Sequence, residues 1–255
     1  MDVSATVEQL YELLAQIAPP ELAEAWDNIG ILAGRPDQRV ERALFALDLT
    51  PAVIDEAVAV GAQLIVTHHP ILFRGRKNLL ETDAEGRMLC GLVRANLAMI
   101  AMHTNYDNAT PGVNDALAAR LGLSDVEALE NGMRLGVTAA GTLGRFADSA
   151  EAALGGPIRR YGAPETPVRR VAVLGGAGED FAAQALAAGA DCYLTGEMAY
   201  HKGLDAAQNG LCVLEAGHAA TELPGILALS TALQRAVDGL QYKVEILNSN
   251  AGMYL

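Results

Sequence analysis

Two adjacent histidines, His68 and His69, close the apolar run Ile65-Val66-Thr67, and Pro70 follows them. Side chains alternate across a strand, so neighbouring histidines could serve one metal ion only from a loop beyond the strand, or two ions from its end. Pro70 favours the loop, because it lacks the N–H that a ladder needs and restrains the residue before it. An isolated pair of this kind could equally cap or hydrogen-bond. The positions of the other ligand-type residues therefore decide. His103 closes a second apolar run, Leu97 to Met102, His218 follows the run Leu211 to Leu214, and His201 lies a few residues past Leu194. Asp107 comes four residues after His103, and Glu222 four after His218.

In open parallel sheets the carboxyl ends of the strands share one edge, where ligands bind. If the chain is helical from Ala219 onward, His218 and Glu222 lie one turn apart on one face. Imidazoles with carboxylates and no thiolates suit Zn, Mn, Fe, Co or Ni, and more than four such ligands point to two ions. Two ions close together would hold a hydroxide at neutral pH, the nucleophile of a metal-dependent hydrolase.

The elements that must position these residues are those of an α/β protein. Val7, Leu10, Leu13, Leu14 and Ile17 repeat at helical spacing, with Ser4 available as a cap and Pro19-Pro20 as a stop. Trp26 precedes Asp27-Asn28, a pattern that reads more readily as a core plug with a polar turn than as part of a site. Ala43 to Leu47 is a continuous apolar run of the kind that fills a doubly covered strand. A helix from Pro51 to Val60, Gly61, and a strand from Leu64 complete a βαβ unit that delivers His68 and His69. Arg74, Arg76 and Lys77 form the densest basic run; they read first as a solvated loop and second as a grip for a substrate phosphate.

From about Met133 the chain begins again. Laying Ala43 to His69 on Val171 to Glu197 needs no gap, and places Gly61 on Gly189 and Thr67 on Thr195. Identities are few, so chance similarity between two βαβ units stays open. The expected architecture is two related α/β lobes, residues 1–125 and 126–255. The final helix, from Glu222 or Leu223 to Val237, and the strand Tyr242 to Leu247 are assigned to the second lobe.

Composition narrows the partners. With 255 residues the chain can bury a sizeable core. Its net charge of -13 argues against nucleic acid and acidic membranes as partners, since both are held through Lys and Arg. Cys90, Cys192 and Cys212 are scattered, without CxxC spacing, which fits a reducing cytoplasm. No apolar run is long enough to span a bilayer.

The segments Ile65-Val66-Thr67-His68-His69-Pro70 with Phe73-Arg74-Gly75, His103-Thr104-Asn105-Tyr106-Asp107, Thr195-Gly196-Glu197 and Gly217-His218-Ala219-Ala220-Thr221-Glu222, together with Ala25-Trp26-Asp27-Asn28-Ile29-Gly30, resemble the motifs of the Nif-three-like dinuclear-metal family. Members of that family are commonly labelled GTP cyclohydrolase I type 2 homologues. The resemblance covers nearly the whole chain in order. It implies a toroidal homohexamer and two divalent ions per chain in the cleft between the two lobes, with His68, His69, Asp107, His218 and Glu222 as ligands. By the same resemblance Glu222 bridges the ions, His68 and His218 hold one, and His69 and Asp107 the other. His103 and His201 then move protons or orient ligands. The implied reaction opens the imidazole ring of GTP, with hydroxide adding to C8 and formate leaving. A two-metal hydrolase of another phosphoester or cyclic amide, or a metal-binding hexameric interaction protein, is the alternative.

Overall fold

The computed structural model describes residues 4–251. In chain order the strands and helices are β1 (Ala5–Thr6), α1 (Val7–Ile17), β2 (Gly30–Ala33), β3 (Arg39–Val40), β4 (Arg42–Ala46), α2 (Pro51–Ala59), β5 (Leu64–Thr67), α3 (Ala84–Arg94), β6 (Ala98–Ala101), α4 (Thr104–Asn108), α5 (Val113–Arg120), β7 (Ser124–Ala128), β8 (Arg134–Thr142), α6 (Leu143–Leu154), β9 (Arg159–Tyr161), β10 (Pro167–Leu174), α7 (Ala182–Ala187), β11 (Cys192–Thr195), α8 (Tyr200–Gln208), β12 (Cys212–Glu215), α9 (His218–Gly239) and β13 (Glu245–Asn248). The chain forms two units: one runs to Ala109 and resumes at Ile226, and the other spans Thr110–Gly225.

The first unit is built on a five-stranded sheet in the order β13-β4-β5-β6-β2. Strands β13, β4, β5 and β6 run parallel and β2 closes the far edge antiparallel. Apolar residues fill both faces, as a doubly covered sheet requires. Leu44, Ala46, Ile65 and Met99 meet Val53, Ala57 and Leu92 of α2 and α3 on one side. Their neighbours Phe45, Val66 and Ile100 are buried too. Thr50 caps α2 by accepting from the Val53 amide, and Pro51 sits in the first turn, where its missing N–H costs nothing. Thr6 rather than Ser4 caps α1, in a reciprocal capping box with Gln9. The reason is local: Ala5 and Thr6 pair with Val40 and Arg39, so helix can begin only after them.

The second unit carries a six-stranded sheet in the order β7-β8-β10-β11-β12-β9. Its parallel centre, β10-β11-β12, is flanked by antiparallel β8 and β9. Alternation is clean here. Val171, Val173, Cys192, Leu194 and Leu214 face one core and Ala172, Leu174, Tyr193 and Val213 the other.

The register settles the repeat. Ala43 pairs with Leu64 and Ala46 with Thr67, while Val171 pairs with Cys192 and Leu174 with Thr195, all at one offset. A clamp recurs at the same offset: the Gln63 side-chain oxygen accepts from the Glu41 and Arg42 amides, and an Asp191 carboxylate oxygen accepts from those of Arg169 and Arg170. Both sheets close with an antiparallel strand that precedes the repeat in sequence, β2 in one and β9 in the other. Two copies of one α/β design account for this.

Two expectations about boundaries are corrected. The division falls after Ala109 and not near residue 125, because Leu117 and Ala118 of α5 pack into the core of the second sheet and β7 pairs with β8. The strand at the end of the described chain belongs to the first unit, where Glu245 to Asn248 pair with Arg42 to Phe45.

Candidate metal centre

In the first unit the metal-type residues sit just past β5 and β6. The amides of His68 and His69 both donate to Leu47 O, at 3.2 and 3.1 Å, and Thr67 Oγ1 donates to His69 O at 2.7 Å. The pair therefore lies in a tight loop after the strand. His68 is fully buried, and its Nδ1 lies 2.8 Å from Met102 O. Nδ1 of His69 lies 2.7 Å from Asp48 Oδ1, and Nδ1 of His103 lies 2.9 Å from Asp27 Oδ1. A carbonyl or carboxylate can only accept, so each Nδ1 carries the proton and each Nε2 keeps its lone pair. His68, His69 and His103 bring ligand atoms within 4.8 Å of one another. Asp107, on α4, places Oδ1 3.5 Å from His68 Nε2.

The Asp27 side chain is fully buried. Burial alone would raise its pKa, but hydrogen bonds from His103, from the Thr104 amide and hydroxyl and from the Asn28 amide outweigh that, holding the carboxyl well below the ordinary range. Asp27 is thus an anion that fixes the His103 ring. This corrects the view of Trp26-Asp27 as a core plug: Trp26 is 59% exposed, with its ring centre 5.6 Å from Phe73 and 6.1 Å from His103.

In the second unit His218 opens α9. Its Nδ1 lies 2.9 Å from Glu197 Oε1, and its Nε2 lies 3.2 Å from Oε2 of Glu222, one helical turn on. The conditional expectation of a helix from Ala219 is met, and Glu222 is buried. Two glycines make the space. A Cβ on Gly176 would stand 2.3 Å from Glu222 Oε1, and one on Gly196 would stand 2.5 Å from Gly176 O and 2.8 Å from the His218 Cα. Gly196 therefore lets the Thr195-Gly196-Glu197 loop approach the start of α9 closely enough for Glu197 to reach His218.

His201 lies elsewhere. It is exposed on the first turn of α8 and is in none of the groups of described residues able to hold an ion. Of the basic run, Arg76 forms ion pairs with Asp83 and Glu85, both at 2.9 Å, while Arg74 and Lys77 are exposed. Spacing in the sequence does not mark Asp27, Asp48 or Glu197 as orienting residues. Asp48 carried a signal: it follows the apolar run ending at Leu47, as His68 follows β5.

Duplicated α/β sheets that gather imidazoles and carboxylates at their strand ends define a protein able to hold a metal ion. Over residues 5–252 the chain matches the family described as Duf34/NIF3 (NGG1p interacting factor 3), and it belongs to that family. It is 39% identical over 234 residues to a GTP cyclohydrolase 1 type 2 homolog of Streptomyces coelicolor, covering 86% of this chain and 82% of the relative. To the protein of the same name from Clostridium perfringens it is 31% identical over 242 residues, covering 91% and 92%. The crystal structure of a Bacillus cereus protein related to NIF3 superposes with a TM-score of 0.93 over 98% of both chains at 25% identity.

Proposed function

We propose that the chain is a hydrolase dependent on two divalent metal ions, held by His68, His69, Asp107, His218 and Glu222, and that it opens the imidazole ring of GTP or hydrolyses a related cyclic amide or phosphoester. One observation carries this reading: at His68, His69 and His218 an acceptor faces Nδ1, which leaves Nε2 as the ligand atom in each case. Neutral imidazoles beside carboxylates are a donor set that fits Zn, Mn, Fe, Co or Ni. Ions bound there would act as Lewis acids and bring the pKa of a water into the neutral range.

The chain's own groups supply the rest. By the family resemblance Glu222 would help to hold both ions, and it is buried. His103, held in one tautomer by ionised Asp27, presents Nε2 to accept a proton and return it to a leaving group. GTP as substrate is supported by the relatives' printed name. A cytoplasmic setting suits the three free thiols of Cys90, Cys192 and Cys212. No helix among the described residues is long and apolar enough to cross a membrane.

A metal-handling interaction protein is the second reading, supported by the partner named in the family's description. Elemental analysis of purified protein should find about two divalent ions per chain. Glu222→Ala should loosen both, and GTP, phosphoesters and cyclic amides should then be screened with each metal. Full metal content in Glu222→Ala overturns the bridging role. Metal binding with no turnover across the screen favours the second reading.

A further inference from the structure

Beside the histidine group of the first unit is a groove of about 600 Å³, lined among others by Asn28, Phe73, Arg74 and Lys77. Phe73 lines it and is 46% exposed, and the ring of Trp26, 59% exposed, lies 5.6 Å from that of Phe73, inclined by 59°. Large rings left this open forfeit the burial that ordinarily holds them. Yet they are fixed: the Asn28 side chain donates to Leu72 O, which ties the Phe73 loop to the Trp26 turn. Both ring centres also lie within 6.5 Å of the His103 ring, which meets them edge-on.

Charge completes the pattern. Arg76 is occupied by Asp83 and Glu85 and serves the loop. Among the described residues no carboxylate pairs with Arg74 or Lys77, in a chain whose net charge is -13. Free cations beside exposed aromatic faces suit a ligand with a flat ring and an anionic tail.

We propose that Trp26 and Phe73 form an aromatic clamp that holds the planar heterocycle of the substrate beside His103, with Arg74 and Lys77 receiving its anionic group. This rests on the hydrolase reading for the word substrate, but the clamp can be tested without turnover. Trp26 is the chain's one tryptophan, so its emission reports the clamp directly.

Metal-loaded protein is titrated with GTP, ATP, flavin mononucleotide, guanosine and inorganic triphosphate, with emission excited on the red edge of tryptophan absorption and calorimetry in parallel. Ring-bearing probes should quench the emission; inorganic triphosphate should leave it unchanged and compete with GTP. Trp26→Ala should weaken binding of the tightest ring probe about tenfold or more, and Trp26→Phe no more than about threefold. Changing Arg74 and Lys77 to Gln should weaken GTP but not guanosine, with an effect that shrinks as salt rises.

The clamp is overturned if no ring probe quenches, if Trp26→Ala leaves binding or KM within about twofold, or if emission follows protein concentration instead, which would mean that a second copy of the chain covers Trp26. Quenching without any bond cleavage upholds the clamp and sinks the hydrolase reading. Turnover with unchanged kcat/KM in Trp26→Ala does the reverse.

Discussion

A histidine serves as a metal ligand only when something settles which nitrogen carries its proton. His69, His103 and His218 are each settled by one acid, Asp48, Asp27 and Glu197 respectively, and His68 by the Met102 carbonyl. Asp48→Asn and Glu197→Gln should therefore weaken divalent-metal binding by about 10- to 100-fold each. Competition against a chromogenic chelator measures this, and unchanged near-ultraviolet circular dichroism would show that packing is intact. Full affinity in both variants would show that these acids do not orient the rings. The ligand residues themselves stood out on the sequence because each punctuates an apolar run. Their partners did not: Asp27 reaches His103 across 76 positions, and no periodicity links a turn to a strand end that far away.

Among the elements, the buried parallel strands and the amphipathic α1 were plain from pattern, since burial on both faces demands unbroken apolar runs. Three features escaped. Every residue of β7 is exposed, so nothing apolar marked it. Helix α9 starts at His218, ahead of the start expected at Glu222 or Leu223, and Pro224 lies inside it. The run before Leu247 announced a strand but could not say which sheet it would join. What holds that strand is partly Glu56 of α2, whose carboxylate accepts from the Ser249 hydroxyl and the Asn250 and Ala251 amides. Burial pushes the Glu56 pKa up, and these hydrogen bonds more than reverse it, so the folded value lies below 4.5. A depressed carboxylate adds stability above its ordinary pKa and loses that contribution as pH falls through the folded value. Glu56→Gln should thus lower stability by on the order of 1 kcal/mol near neutrality. The difference from wild type should vanish in acid, as denaturant titrations across pH 3 to 7 (roughly the span either side of a carboxylate pKa) would reveal. A pH-independent difference would refute this account.

For the molecule as a whole, the duplicated register explains why one sheet design appears twice with different chemistry: the offset that sets Thr67 on Thr195 sets His68 on Gly196 and His69 on Glu197. The family resemblance implies a homohexamer, and exposed Tyr200 and Leu204, one turn apart on α8, offer an apolar surface that a second chain could cover. Light scattering should return six chains, and Tyr200→Glu with Leu204→Glu should lower that number. A monomer at every concentration would exclude the ring. The discontinuity of the first unit has a consequence during translation. Strand β4 leaves the ribosome early, whereas its neighbour β13 follows only after the whole second unit. At about 5 to 20 residues per second, the roughly 200 residues between them take on the order of 10 to 40 s. For that time the nascent chain carries an unpaired, apolar strand edge, the kind of surface that recruits stray strands. The contiguous second unit can meanwhile finish its own sheet, so the half that holds His68 and His69 is the one that matures last.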